Sequence, residues 1–180
     1  MSTANPLAPL PTPSEPRAYA DDYAETDVAD TYLTFAVDKD TYGISIAQVT
    51  EILGFVTPMV VPGVPSYVRG VINLRGRIIP VHCVRKRFKL AEVPDSVHRA
   101  IIVCEVSGAP AGLLVDAVSD VITILPDQVD HPPQLHRDRA AAAMLKGVGK
   151  HAGGIALLLS VEALFDSSAV VHDAASSAAS

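Results

Sequence analysis

The sequence predicts an all-β protein: two similar five-stranded barrels packed together, with a short helix after each closing hairpin. Three observations carry that expectation. Of the 180 residues 49% are hydrophobic, yet only four Phe, five Tyr and no Trp are present, so the core is aliphatic and rich in residues that favour strands. Short runs alternate apolar and polar residues between turn signals. The body of the chain is also nearly written twice.

The repeat has two blocks. TYLTFAVDKDTYGISIAQVTEIL (31–53) falls without gaps on AIIVCEVSGAPAGLLVDAVSDVI (100–122), placing Gly43 on Gly112, Ile44 on Leu113, Ile46 on Val115 and Glu51 on Asp120. RGVINLRGRIIPVHCVRKRF (69–88) falls on KGVGKHAGGIALLLSVEALF (146–165), placing Gly70 on Gly147, Gly76 on Gly153, Cys83 on Ser160 and Phe88 on Phe165. Units of this size are marginal alone, so two should share apolar surface, and strand-rich units this small close most readily as barrels. The seam between them is expected to form a docking groove.

The elements follow in order. Leu33, Phe35 and Val37 read as one face of a half-buried strand, and Asp38-Lys39-Asp40 turns the chain into Tyr42, Ile44 and Ile46. Leu74-Arg75-Gly76-Arg77 reads as a hairpin tip, because Gly76 can take the positive φ that a two-residue turn demands. Such a turn needs a glycine but not an arginine. Val84 to Phe88 is a short helical candidate. The second unit repeats the plan, with turns at Ser107-Gly108-Ala109-Pro110 and Ala152-Gly153-Gly154 and a helix over Val161 to Phe165. Ser160 is a good N-cap for that helix and Cys83 a poor one for its counterpart. The expected division is a Pro-rich and acidic disordered tail (1–29), one domain (30–167) and a second disordered tail (168–180). Within the domain, about 30–90 forms the first barrel and about 98–166 the second, with ends free to exchange between them.

Charge is the other signal. The net charge is −6, yet Arg69, Arg75, Arg77, Arg85, Lys86, Arg87 and Lys89 bring half the Lys and Arg into one stretch without an acidic residue. A single-sign cluster on an acidic protein marks a docking face. Arg75, held on a turn tip, is the best individual candidate, since its planar fork suits a partner carboxylate. Glu51, between Val49 and Leu53 on one strand face, is the other; the plainer alternative is a solvated edge-strand charge. Asp21, Asp22, Glu25, Asp27 and Asp30 form an acidic run that could contact the basic stretch. A nucleic-acid-binding barrel using residues 69–89 is the alternative function, weakened because Phe88 is the one aromatic available for stacking.

Catalytic chemistry is not expected. No G-x-S-x-G elbow, Walker loop or H-E-x-x-H is present, and KGVGKHAGG lacks the spacing of a nucleotide loop. His82, His98, His131, His136, His151 and His172 show no ligand spacing, so no metal or cofactor is expected, and the loop residues His131 and His136 should face solvent. Cys83 and Cys104 lie in apolar settings that favour buried, inert thiols and a reducing compartment. With no signal-peptide pattern and no apolar run of membrane-spanning length, a soluble cytoplasmic protein is expected.

TYLTF, YGISIAQVTEILG, VPSYVRGVINLRGRIIPVHCVRKRF, AGLLVDAVSDVI and KGVG…IALLLSVEALF, in that order, resemble the CheW family over roughly residues 30–166. The resemblance implies two Src-homology-3-like barrels. It also implies a non-catalytic adaptor that couples the cytoplasmic tips of methyl-accepting chemoreceptors to a CheA-type histidine kinase, in rings that can include other CheW-like proteins. It places receptor docking on Val49, Glu51, Arg69, Gly70 and Arg75, and kinase contacts on the outer surfaces of both barrels without naming residues. Location would be cytoplasmic, with recruitment to membrane-associated arrays. No kinase core fits in the remaining length, so the resemblance is to the stand-alone adaptor. Where the family usually has aspartate in P-V-[IV]-D-L, this chain has Cys83, a poor cap that costs about 1 kcal/mol.

Overall fold

The computed structural model describes residues 28–130 and 143–166. The tails, the acidic residues Asp21, Asp22, Glu25 and Asp27, and His131, His136 and His172 lie outside them. Among the described residues eleven strands form two sheets. The first block gives β1 (Thr31–Val37), β2 (Asp40–Ser45) and β3 (Val49–Gly54), followed by β4 (Val68–Leu74), β5 (Arg77–Cys83) and helix α1 (Val84–Arg87). The second gives β6 (Ala100–Val106), β7 (Ala109–Val115), β8 (Ala117–Thr123), the two-residue β9 (Val129–Asp130), β10 (Leu145–His151), β11 (Gly154–Leu159) and helix α2 (Val161–Phe165). Four of the five matched strand pairs start where the alignment puts them, and β8 starts one residue before the counterpart of the first residue of β3.

The sheets draw on both halves of the chain. One runs β3-β6-β7-β5-β4 and the other β8-β1-β2-β11-β10-β9. The opening hairpin β1–β2 therefore sits with the closing strands of the second unit, and β6–β7 with those of the first. Parallel ladders make the joints, Val81 against Gly112 and Leu158 against Gly43. Residues 90–98 thus separate the repeats but not the barrels.

The core follows from this exchange. Its largest cluster combines Leu33, Phe35 and Ile44 from one sheet with Ile102, Leu113 and Val115 from the other, and adds Val84 from α1 and Leu164 from α2. Smaller clusters fill the barrels, around Ile79, Val81 and Ile101 in the first and around Ile124 and Leu158 in the second. The seam expected as a groove is largely packed with side chains. A cleft of about 500 Å³ opens between the β6–β7 turn and α2, lined by Val106, Ser107, Ser160 and Glu162 among others.

A buried ion network crosses the same boundary. The Arg85 side chain, 8% exposed, donates from Nε to both Asp116 carboxylate oxygens at 2.9 and 2.8 Å. Its Nη2 reaches Asp38 Oδ1 at 3.2 Å and its Nη1 donates to the Ala91 carbonyl at 2.8 Å. The helix ends differ as their caps predict: Ser160 Oγ accepts from Ala163 N at 3.3 Å, whereas Cys83 makes no side-chain cap bond. Cys83 and Cys104 are free and buried, and burial pushes the Cys104 thiol up to about 12.

His82 packs between Tyr67 and Phe165, with ring centroids at 5.3 and 4.6 Å, and its Nδ1 is buried without a partner. Burial first, and the Arg87 charge second, lower its pKa from 6.5 to about 4. The folded state therefore resists the proton that the unfolded chain accepts. Stability from this group is complete above about pH 6.5 and declines as pH falls towards 4. After allowance for solvent screening, the loss is about 1–2 kcal/mol. Urea midpoints followed over that range should fall less for His82→Phe than for the wild type; parallel curves would contradict this account.

Candidate docking surface

The outer strands of the first barrel, β3 and β4, are not hydrogen-bonded to each other. Across that open edge runs an ion pair, Arg75 Nη2 to Glu51 Oε2 at 2.8 Å. β3 alternates half-buried and exposed residues, so Val49, Glu51 and Leu53 share the inward-leaning face. Val49 packs on the central core and Leu53 on the first-barrel core, leaving the Glu51 carboxylate on an apolar base at 20% exposure.

Arg75 comes from the other side. It and Gly76 form the two-residue β4–β5 turn with φ of 51° and 84°, and Asn73 Oδ1 accepts the Gly76 N–H at 2.9 Å. Positive φ at both central positions matches the twist of the flanking strands. For arginine the left-handed region costs about 1 kcal/mol. The side chain is 78% exposed, so little local packing offsets that strain. The conformation points the guanidinium outward beside Glu51, presenting a neighbouring donor and acceptor.

The other expected docking residues lie elsewhere on β4. Gly70 is buried at a bulge with φ 142°, where the connection from β3 crosses the strand through reciprocal Met59–Val71 backbone bonds of 2.8 and 2.9 Å. A Cβ there would stand 2.1 Å from the Met59 carbonyl oxygen. Gly147 repeats the arrangement, with a bulge in β10 and Val129 Cγ1 2.6 Å from its absent Cβ. The fold thus requires Gly70 whatever else it does. Arg69 sits six residues before Arg75, about 20 Å along the strand. Its guanidinium meets Glu92 at 3.3 Å and Asp95 at 3.4 Å.

The basic stretch does not form one face. Arg69, Arg75, Arg85 and Lys86 are in ion pairs with carboxylates of this chain. Arg87, 7% exposed, lies 4.4 Å over the Tyr67 ring and donates to the carbonyls of Ala163 and Asp166. The phosphate-binding surface of the nucleic-acid alternative is largely consumed inside the protein. Among the described residues no group of His, Cys, Asp and Glu could hold a metal, and no helix is long and apolar enough to cross a membrane.

Sequence reasoning missed one pattern. Ile52 and its counterpart Val121 are 47% and 56% exposed, and Ile78 and its counterpart Ile155 are 63% and 60% exposed. Each barrel thus shows the solvent two aliphatic residues at equivalent places. The repeat itself carried that signal, because these positions stay apolar in both units.

Two packed barrels with paired exposed apolar faces and a charged edge define a binding module. The family model for the CheW-like domain matches residues 31–169, so the chain belongs to the CheW family. The chemotaxis protein CheW of Rhizobium meliloti is 32% identical over 135 residues, spanning 75% of this chain and 86% of the relative. That of Bacillus subtilis is 36% identical over 111 residues, spanning 62% and 71%. The crystal structure of scaffolding protein TtCheW from Thermoanaerobacter tengcongensis matches with a TM-score of 0.70 at 32% identity, over 77% of this chain and 93% of that one. The all-β architecture of two Src-homology-3-like barrels is the family's own.

Proposed function

We propose that this protein is a non-catalytic adaptor that couples chemoreceptor cytoplasmic tips to a CheA-type histidine kinase. It would act in the cytoplasm, recruited to membrane-associated arrays. The observation that carries the reading is the Glu51–Arg75 pair, a strained and exposed arginine beside a half-buried carboxylate on a CheW-family barrel. Receptor docking is assigned to Val49, Glu51 and Arg75 at that edge and to Arg69 farther along β4, with Gly70 shaping the strand. Kinase, or another CheW-like protein in a ring, is assigned to the outer surfaces carrying Ile52 and Ile78 on one barrel and Val121 and Ile155 on the other.

Exposed ion pairs contribute about 0–1 kcal/mol to folding, so Arg75→Ala and Glu51→Ala should melt close to the wild type. Truncating a central contact of an interface costs more than about 1.4 kcal/mol, a tenfold loss of affinity. Co-sedimentation with membranes bearing receptor fragments should therefore recover far less of either variant. Wild-type recovery of both would remove the site assignment.

A further inference from the structure

Between α1 and β6 the chain runs as an exposed strap, residues 91–98. Basic side chains from β4, from α1 and from Arg99, just before β6, hold it. Glu92 accepts from Lys86 at 2.7 Å and from Arg69 at 3.3 Å. Asp95 accepts from Arg69 at 3.4 Å and from Arg99, whose side chain is 5% exposed. The Ala91 carbonyl accepts from Arg85. Lys86 holds the Glu92 carboxyl below its usual range, followed by the Arg69 and Arg99 charges.

The two halves of this arrangement differ in permanence. Asp95 is anchored by the buried Arg99 and is part of the fold. Glu92 is 59% exposed and touches Arg69 at 31% and Lys86 at 27% exposure, so its pairs are solvent-screened and exchangeable. Glu92 is thus a carboxylate ligand seated on a two-cation site, made by Arg69 of β4, the strand that leads into the Arg75 turn, and Lys86 of α1. Glu92 and Asp95 lie three residues apart, and two carboxylates at that spacing on an α-helix also share one face.

We infer that Arg69 and Lys86 form a recognition site for an acidic helix, occupied in the free protein by Glu92 as an internal stand-in that the partner's carboxylate displaces. This deepens the docking reading above and rests on it for the partner's identity as a receptor helix. The strap lowers affinity and makes exchange dependent on the partner's charge pattern.

The test uses the full chain and a labelled alanine-based helical peptide with Glu residues three apart, its Gln counterpart serving as control. Binding is read by fluorescence anisotropy at low and moderate salt. Glu92→Gln should tighten binding of the acidic peptide about threefold to tenfold, because the competing ligand is gone. Arg69→Ala should weaken it, and the Gln peptide should respond to neither change. Glu105→Gln removes the same charge from an exposed position on another strand and should leave affinity unchanged. Equal tightening by Glu105→Gln, or no tightening by Glu92→Gln, overturns the inference. If the peptide behaves as expected while receptor fragments fail to capture the wild type, the acidic-helix site stands and the adaptor reading falls. If receptor capture succeeds while Glu92→Gln leaves peptide affinity unchanged, the reverse holds.

Discussion

Gly70→Ala is expected to unfold the first barrel more readily than any substitution at the charged edge. The added Cβ would lie 2.1 Å from the Met59 carbonyl oxygen, on a backbone with φ 142° that side chains rarely adopt. Neither problem has a cheap remedy, because the obstructing atom is backbone held by two hydrogen bonds to Val71. Strain of this kind costs roughly 1–3 kcal/mol before the clash is counted, so a total near 3 kcal/mol and a melting temperature lower by roughly 10 °C are expected. Loss of receptor binding by this variant would then report a displaced strand. Circular dichroism melting decides the matter: if Gly70→Ala melts with the wild type yet fails to bind, Gly70 contacts the partner directly.

Asp116→Ala should be comparably damaging for a different reason. It removes both carboxylate oxygens bound by Arg85 Nε and also the acceptor of the Asp38 backbone N–H at 2.8 Å. Arg85 would remain buried, with one long contact to Asp38 and the Ala91 carbonyl. Stripping one partner from a buried pair typically costs about 3–5 kcal/mol, since the surviving charge stays desolvated. Arg85→Met should be milder. It fills similar volume and leaves behind Asp116 and Asp38, whose side chains are 20% and 45% exposed and can regain water. Urea denaturation should therefore rank Asp116→Ala below Arg85→Met. The opposite order would mean that the network stabilises mainly through the arginine's packing.

The strands were legible because periodicity and turn chemistry are local. The Arg75-Gly76 tip, the Ser107-Gly108 turn and the uneven capping by Ser160 and Cys83 all depend on residues within a few positions of one another. The repeat extended this by making each unit a check on the other. Which barrel a hairpin joins was not legible. The alignment of 31–53 with 100–122 reads the same whether β1–β2 pairs within its own unit or crosses over. The arginines misled for a related reason. Arg85 looked like part of a surface cluster, but its acidic partners lie 31 and 47 residues away in sequence. At the site, Glu51 and Arg75 were individually visible, while their pairing depended on a barrel edge that no local pattern encodes. Gly70 had a docking role from resemblance and a steric one from the structure, and the repeat had already shown Gly147 in the same place.

The crossed hairpins bear on mechanics as well as topology. Two barrels joined by a linker could swing, and a protein bridging two partners would then transmit neither angle nor distance. Here a cut between α1 and β6 would leave neither fragment with a complete barrel, and the largest apolar cluster belongs to both sheets at once. Bending the molecule at its waist would mean opening that cluster and pulling Arg85 away from Asp116 and Asp38. The chain therefore behaves as a gauge block of fixed width. The shared core resists any change of angle between the Glu51–Arg75 edge and the face of the far barrel that carries Val121 and Ile155.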